Sequence, residues 1–154
     1  MKIKILLFLL TGAFISNSCK SDDTDTCCVN LEMDMDIRFI NGSGDNITNQ
    51  EDGIELRDIA VYNKEGEDWV VSSNQPILVD RENEDYIRIF ASDYTFTDQI
   101  SETRIDFEDG TTDYIKTQLY KNGKNSIILK VWYNDVLEWD AKESDDDRYF
   151  DIEK

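Results

Sequence analysis

The 154-residue chain is predicted to be all-β: an antiparallel β-sandwich of about seven to eight strands, immunoglobulin-like or transthyretin-like. Three observations predict it. Apolar residues recur at every second position in run after run, the period of a strand with one buried face. Clusters of Gly, Asn and Asp punctuate those runs at short intervals, as hairpin turns do. No stretch of useful length carries the period of an amphipathic helix. A small β-barrel is the alternative arrangement of the same strands. The predicted layout is a leader over residues 1–18, an acidic tether over 19–27 and one domain over 28–154, long enough for a single core.

The elements follow in order. From residue 28 to 40, Val29, Leu31, Met33, Met35, Ile37 and Phe39 alternate with Asn30, Glu32, Asp34, Asp36 and Arg38, which predicts one long half-buried strand. Asn41 to Asn46, with Gly42 and Gly44, ends it in a loop. Ile54–Asn63 reads as the second strand, Lys64–Glu67 as a turn and Trp69–Ser72 as the third strand. Pro76, the only proline, starts a short edge strand through Val79. A charged turn over 80–85 leads to a strand at Tyr86–Ala91, and 92–102 reads as a longer loop.

The last third is the most regular. Thr103, Ile105 and Phe107 alternate, then Ile115, Thr117 and Leu119, then Ile127, Leu129, Val131 and Tyr133. Three-residue turns at Glu108-Asp109-Gly110 and Lys121-Asn122-Gly123 place glycine where positive φ is needed. They pair Thr103 with Ile115, Thr117 with Ile127 and Ile115 with Leu129. The expected inward set is Ile105, Phe107, Ile115, Leu119, Ile127, Leu129 and Val131. A two-residue turn at Asn134-Asp135 leads into Val136–Trp139, and Tyr149–Ile152 returns as a terminal strand.

Composition excludes much chemistry. Histidine is absent, which removes Ser–His–Asp and Cys–His catalysis, histidine acid–base chemistry and His-ligated zinc. The net charge is −18, a field that repels nucleic acid and anionic surfaces. The three cysteines all lie between residues 19 and 28, so no disulfide framework staples the domain. No glycine-rich phosphate loop is present. Paired carboxylates of the glycosidase type need a cleft that a small sandwich does not offer, so the chain reads as non-enzymatic.

The N-terminus reads as an address. Lys2 and Lys4 precede an apolar run from Ile5 to Ile15, the length of a signal-peptide core and too short to span a bilayer. Ser16-Asn17-Ser18 then precedes Cys19, followed by Lys20-Ser21-Asp22-Asp23. This arrangement resembles a bacterial lipoprotein signal and the surface-export signal of Bacteroidota outer-membrane lipoproteins. With Asp106-Phe107-Glu108-Asp109-Gly110-Thr111-Thr112-Asp113 and the segment Lys130 to Asp140, the chain resembles small Bacteroidota lipoproteins of unknown function. The resemblance implies a β-domain anchored through lipid on Cys19, at the surface of the outer membrane. It implies no activity.

Two candidate sites remain. If Asn134-Asp135 is a two-residue turn, Trp132 faces Leu137 and Lys130 faces Trp139, all on the face opposite the core. Exposed aromatic rings on a sheet stack on sugars, so Lys130, Trp132 and Trp139 form a candidate ligand-binding stripe, for a glycan or an outer-membrane protein. The competing expectation is that Tyr149, Phe150 and Ile152 cover the stripe as a second small core. The other candidate is a structural calcium site with Asp145, Asp146, Asp147 and Asp45 as oxygen ligands, although no run matches an EF-hand loop.

Overall fold

A computed structural model describes residues 31–123, 125–144 and 147–154. Cys19, the leader, the tether with Cys27 and Cys28, and Asp145 and Asp146 lie outside the described residues. The described residues form an all-β sandwich of two open sheets, with no closed barrel among them.

Eleven strands are described: β1 (Leu31–Glu32), β2 (Asp34–Ile40), β3 (Ile59–Glu65), β4 (Asp68–Val71), β5 (Ile77–Arg81), β6 (Glu84–Phe90), β7 (Ile100–Phe107), β8 (Thr112–Asn122), β9 (Asn125–Tyr133), β10 (Val136–Asp140) and β11 (Tyr149–Glu153). The larger sheet runs β1-β9-β8-β7-β3-β4, with β10 also paired to β9. The smaller sheet runs β11-β2-β6-β5. The β1–β9 and β11–β2 pairs are parallel, so both sheets are mixed.

The strand expected over 28–40 is divided between the two sheets. Leu31 and Glu32 pair with Ser126 and Ile127 of β9, and from Asp34 the chain pairs with β6 instead. Its alternation survives the switch because Met33, Met35, Ile37 and Phe39 all face the space between the sheets. The second strand starts at Ile59 rather than Ile54, since Leu56–Asp58 forms a 3₁₀ turn with reciprocal Glu55–Asp58 capping. In place of a loop through 102, strand β7 begins at Ile100.

Three hairpin registers govern the larger sheet. The first is as expected: Thr103 pairs with Ile115, and Gly110 takes φ 85° in a three-residue turn. The second differs. Asn122 faces Asn125, and a bulge shifts the register where Gln118–Lys130 gives way to Leu119–Ile128. The bulge changes phase within an apolar run, so Ile128 and Val131 are both buried while Ile127 and Leu129 are half-buried. The third turn, Asn134-Asp135, has φ of 46° and 69°, the left-handed pair of a type I′ hairpin.

The core is continuous between the sheets. Phe39 of β2 meets Phe107 of β7 edge-to-face at 5.8 Å, joining one sheet to the other. Phe150 and Ile152 of β11 enter this same core. They do not form a second core over Trp132. Burying an aliphatic or aromatic side chain of this size contributes about 1.5–3 kcal/mol, so the two C-terminal residues weigh substantially.

Candidate functional site

The outer face of the larger sheet carries the residues that alternate with its core set. Along β3 those are Tyr62 and Lys64, along β7 Glu102, Arg104 and Asp106, and along β8 Tyr114 and Lys116. Pairing sets them in rows across the strands. Tyr62 faces Val71 and Arg104, and Arg104 faces Tyr114. In the next row Lys64 faces Trp69, Glu102 faces Lys116, Lys116 faces Trp132 and Trp132 faces Leu137.

Side chains on this face interleave rings and cations. Lys64 Nζ lies 5.4 Å from the Phe96 ring centre and 5.7 Å from that of Trp69. Arg104 lies 5.3 Å from the Trp69 ring and 4.4 Å from the Tyr62 ring. Phe96, Lys64, Trp69, Arg104 and Tyr62 therefore form one stack, in which each cation meets two ring faces. Enclosure between the two rings leaves Arg104 Nε buried without a hydrogen-bond acceptor. The Trp69 indole leans across the sheet to meet Tyr114, with ring centres 5.8 Å apart and planes at 50°.

Beside that aromatic wall lies a concavity of about 370 Å³, lined by Trp69, Tyr114, Lys64, Glu102, Lys116 and the Asn134-Asp135 turn. Lys64 donates to Glu102 at 2.9 Å and Lys116 to Asp135 at 2.5 Å. The Asp135 carboxylate raises the Lys116 pKa above its ordinary value. Asn134 is fixed from two sides: its Oδ1 accepts from the Tyr114 backbone N–H at 2.9 Å and its Nδ2 donates to Asp113 at 2.8 Å. Two rings, two ammonium groups and two carboxylates thus share one shallow site. It offers an apolar wall together with both donors and acceptors, the combination that orients a polar ligand with an apolar face.

The expected stripe is split. Trp132 and Lys130 do lie on the outer face, both half-buried, and Leu137 faces Trp132 as the two-residue turn requires. Trp139 does not join them. The register shifts between Leu137 and Trp139, so Trp139 faces Val131 rather than Lys130 and enters the core at 8% exposure. The bulged residue is Glu138. Lys130 is paired with Asp140 instead.

Of the expected calcium ligands, the two that are described, Asp45 and Asp147, lie apart. Asp45 accepts from Asn41 in the 41–46 loop beyond the end of β2, whereas Asp147 lies near the start of β2 and accepts from Arg81 at 3.2 Å. The length of β2 separates them, about 20 Å at strand rise. Among the described residues no group of three or more His, Cys, Asp or Glu side chains converges on a metal position.

Tyr62, Lys64, Trp69, Arg104, Glu102, Tyr114 and Lys116 were not singled out from sequence. Their signal was present in the register of the β7–β8 hairpin, which alone sets Arg104 opposite Tyr114 and Glu102 opposite Lys116. Comparison with the profiles of protein families, with characterised proteins and with solved structures yields no match for this chain.

Proposed function

We propose that the protein is a lipid-anchored, non-enzymatic binding module of the cell envelope, held at the outer membrane through Cys19 and displayed at the surface. It takes a glycan on the outer face of its larger sheet. The observation that carries the reading is the Trp69–Tyr114 wall beside Lys64, Glu102, Lys116 and Asp135. Lys64 and Arg104 cover Trp69, so it is the exposed Tyr114 ring that stacks against the C–H face of a pyranose, while paired ammonium and carboxylate groups meet its hydroxyls as donor and acceptor at once. The anchor part of the reading is supported by residues 1–25 alone.

The test uses the lipidated full-length protein on immobilised glycans, beside Trp69→Ala and Tyr114→Ala. Each variant is expected to weaken binding about tenfold or more, the equivalent of about 1.4 kcal/mol; Trp69→Ala also removes the ring between Lys64 and Arg104 and is expected to lower the melting temperature, whereas Tyr114→Ala is not. Binding that survives both substitutions together would rule out this face. For the anchor, intact mass from membranes is expected to show acyl chains on Cys19, and Cys19→Ala is expected to release the protein from the membrane. A second reading, a purely structural envelope protein, is favoured by the way Lys64 and Arg104 already occupy the ring faces. It requires that no glycan bind the intact protein.

A further inference from the structure

The ligand's shape and charge follow from the same face, on the premise that this face binds a glycan. We propose that the glycan is a neutral, unbranched single chain crossing the strands, with one pyranose in the Trp69–Tyr114 concavity and the next units passing over Lys116 to Trp132.

Direction comes from the pairing. Glu102, Lys116, Trp132 and Leu137 are successive neighbours on β7, β8, β9 and β10. Polar groups at the concavity are thus followed, across the strands, by a third aromatic ring with exposed Leu137 beyond it. Along the strands the face changes instead to Gln118 and Lys130, and Lys130 is held by Asp140.

Length comes from strand spacing. Glu102 and Trp132 are two strand intervals apart, roughly 10 Å. A linked pyranose repeats at roughly one such interval, so about three units reach from the concavity to the Trp132 ring.

Charge comes from the ion pairs. Lys64, Arg104 and Lys116 are matched by Glu102, Asp106 and Asp135. The face offers no surplus of positive charge, and the net charge of −18 repels polyanions. Ring orientation excludes a flat crystalline polysaccharide. Trp69 and Tyr114 are inclined at 50°, and the strands beneath a crossing chain rotate by roughly 20–25° from one to the next. A single soluble chain can follow those planes, whereas a rigid sheet of chains cannot.

Calorimetric titration of the full-length protein with gluco-, manno-, xylo- and galacturono-oligosaccharides of one to six units tests the proposal. Affinity is expected to rise about tenfold or more from one unit to three and then level off. It should be the same in low and high salt. Trp132→Ala should cut trisaccharide affinity to that of the monosaccharide and leave the monosaccharide unchanged, while Trp132→Phe should restore most of the gain. Affinity that is already complete at one unit, indifference to Trp132→Ala, or preference for uronate chains each overturns this proposal and leaves glycan binding standing. Failure of every sugar to bind overturns both, and capture of a protein by the same face would have the same meaning.

Discussion

Asp36 is 1% exposed on the outer face of the smaller sheet, where Arg81 and Arg88 both donate to its carboxylate, Arg88 Nε at 2.7 Å. Burial pushes its carboxyl up, but the bonds from Arg88 and Arg81 outweigh that and hold the pKa below the ordinary aspartate value. Asp113 follows the same logic on β8. Burial raises it, while Lys154, Tyr133 and Asn134 donate to it and bring it below the usual range. A depressed folded-state pKa contributes stability that is complete above the unfolded value of about 4 and is lost as pH falls through the folded value. Asp36→Asn is therefore expected to cost about 3 kcal/mol at pH 7 in urea unfolding. The gap from wild type should narrow below pH 4, and an equal gap at both pH values would remove Asp36 from the acid response. Tyr133 shows the opposite limb. Burial first, and then its bond to Asp113, push the phenol well above its ordinary value. Its contribution is present below about pH 10 and declines above it. Tyr133→Phe should flatten thermal stability between pH 9 and 11. At this scale the sequence revealed the absence of histidine chemistry, but it did not reveal which of 34 acids are buried. That depends on partners such as Lys154 and Arg81, far away along the chain.

Among the elements, the two-residue turns carry a testable strain. Between β5 and β6, Glu82 and Asn83 take φ of 55° and 68°. Asparagine tolerates the left-handed region and glutamate does not, at a cost of roughly 1–2 kcal/mol. Glu82→Asn is expected to raise stability by about 1 kcal/mol, read as an upward shift of the urea midpoint with an unchanged slope. Bulges explain what the pattern of residues hid. Alternation and turn chemistry correctly set the β7–β8 register, because Glu108-Asp109-Gly110 joins two regular strands. They failed for β8–β9 and for the end of β10, where one extra residue reverses the facing of everything beyond it. Trp139 was misplaced for that reason alone. Deleting Glu138 should remove the bulge and leave Trp139 opposite Val131, so the urea midpoint should shift little, whereas Trp139→Ala empties the core position and should lower stability by about 3 kcal/mol or more. Fluorescence of the deletion variant should keep the emission of a buried tryptophan.

The whole molecule depends on strands distant in sequence. β2 sits between β6 and β11, and its parallel partner β11 is the last strand described. Lys154 then donates to Asp113 of the opposite sheet and lies over the Phe107 ring. Truncation after Asp147 removes Phe150, Ile152 and Lys154 and leaves one side of β2 unpaired. It should lower stability by at least 4 kcal/mol or prevent folding, as judged by lost near-ultraviolet dichroism. The sandwich class was legible because alternation is local. The division of residues 31–40 between two sheets was not, since Met33 continues the same alternation on both sides of the switch. The ring-bearing outer face was legible only in part, through Trp132 and Lys130, because Trp69 and Tyr114 meet by leaning across strands.

The parallel β1–β9 pair sets the end of the sandwich at which the described chain enters. The chain joins the sandwich where Leu31 meets Ser126, at the beginning of β9, and runs beside β9 towards its far end. Trp132 lies six residues further along that strand, about 20 Å away. Leu31 therefore enters the larger sheet at the end away from the Asn134-Asp135 turn. A chain tethered through the proposed lipid on Cys19 would be held from that end, with the ring-bearing concavity at the opposite one.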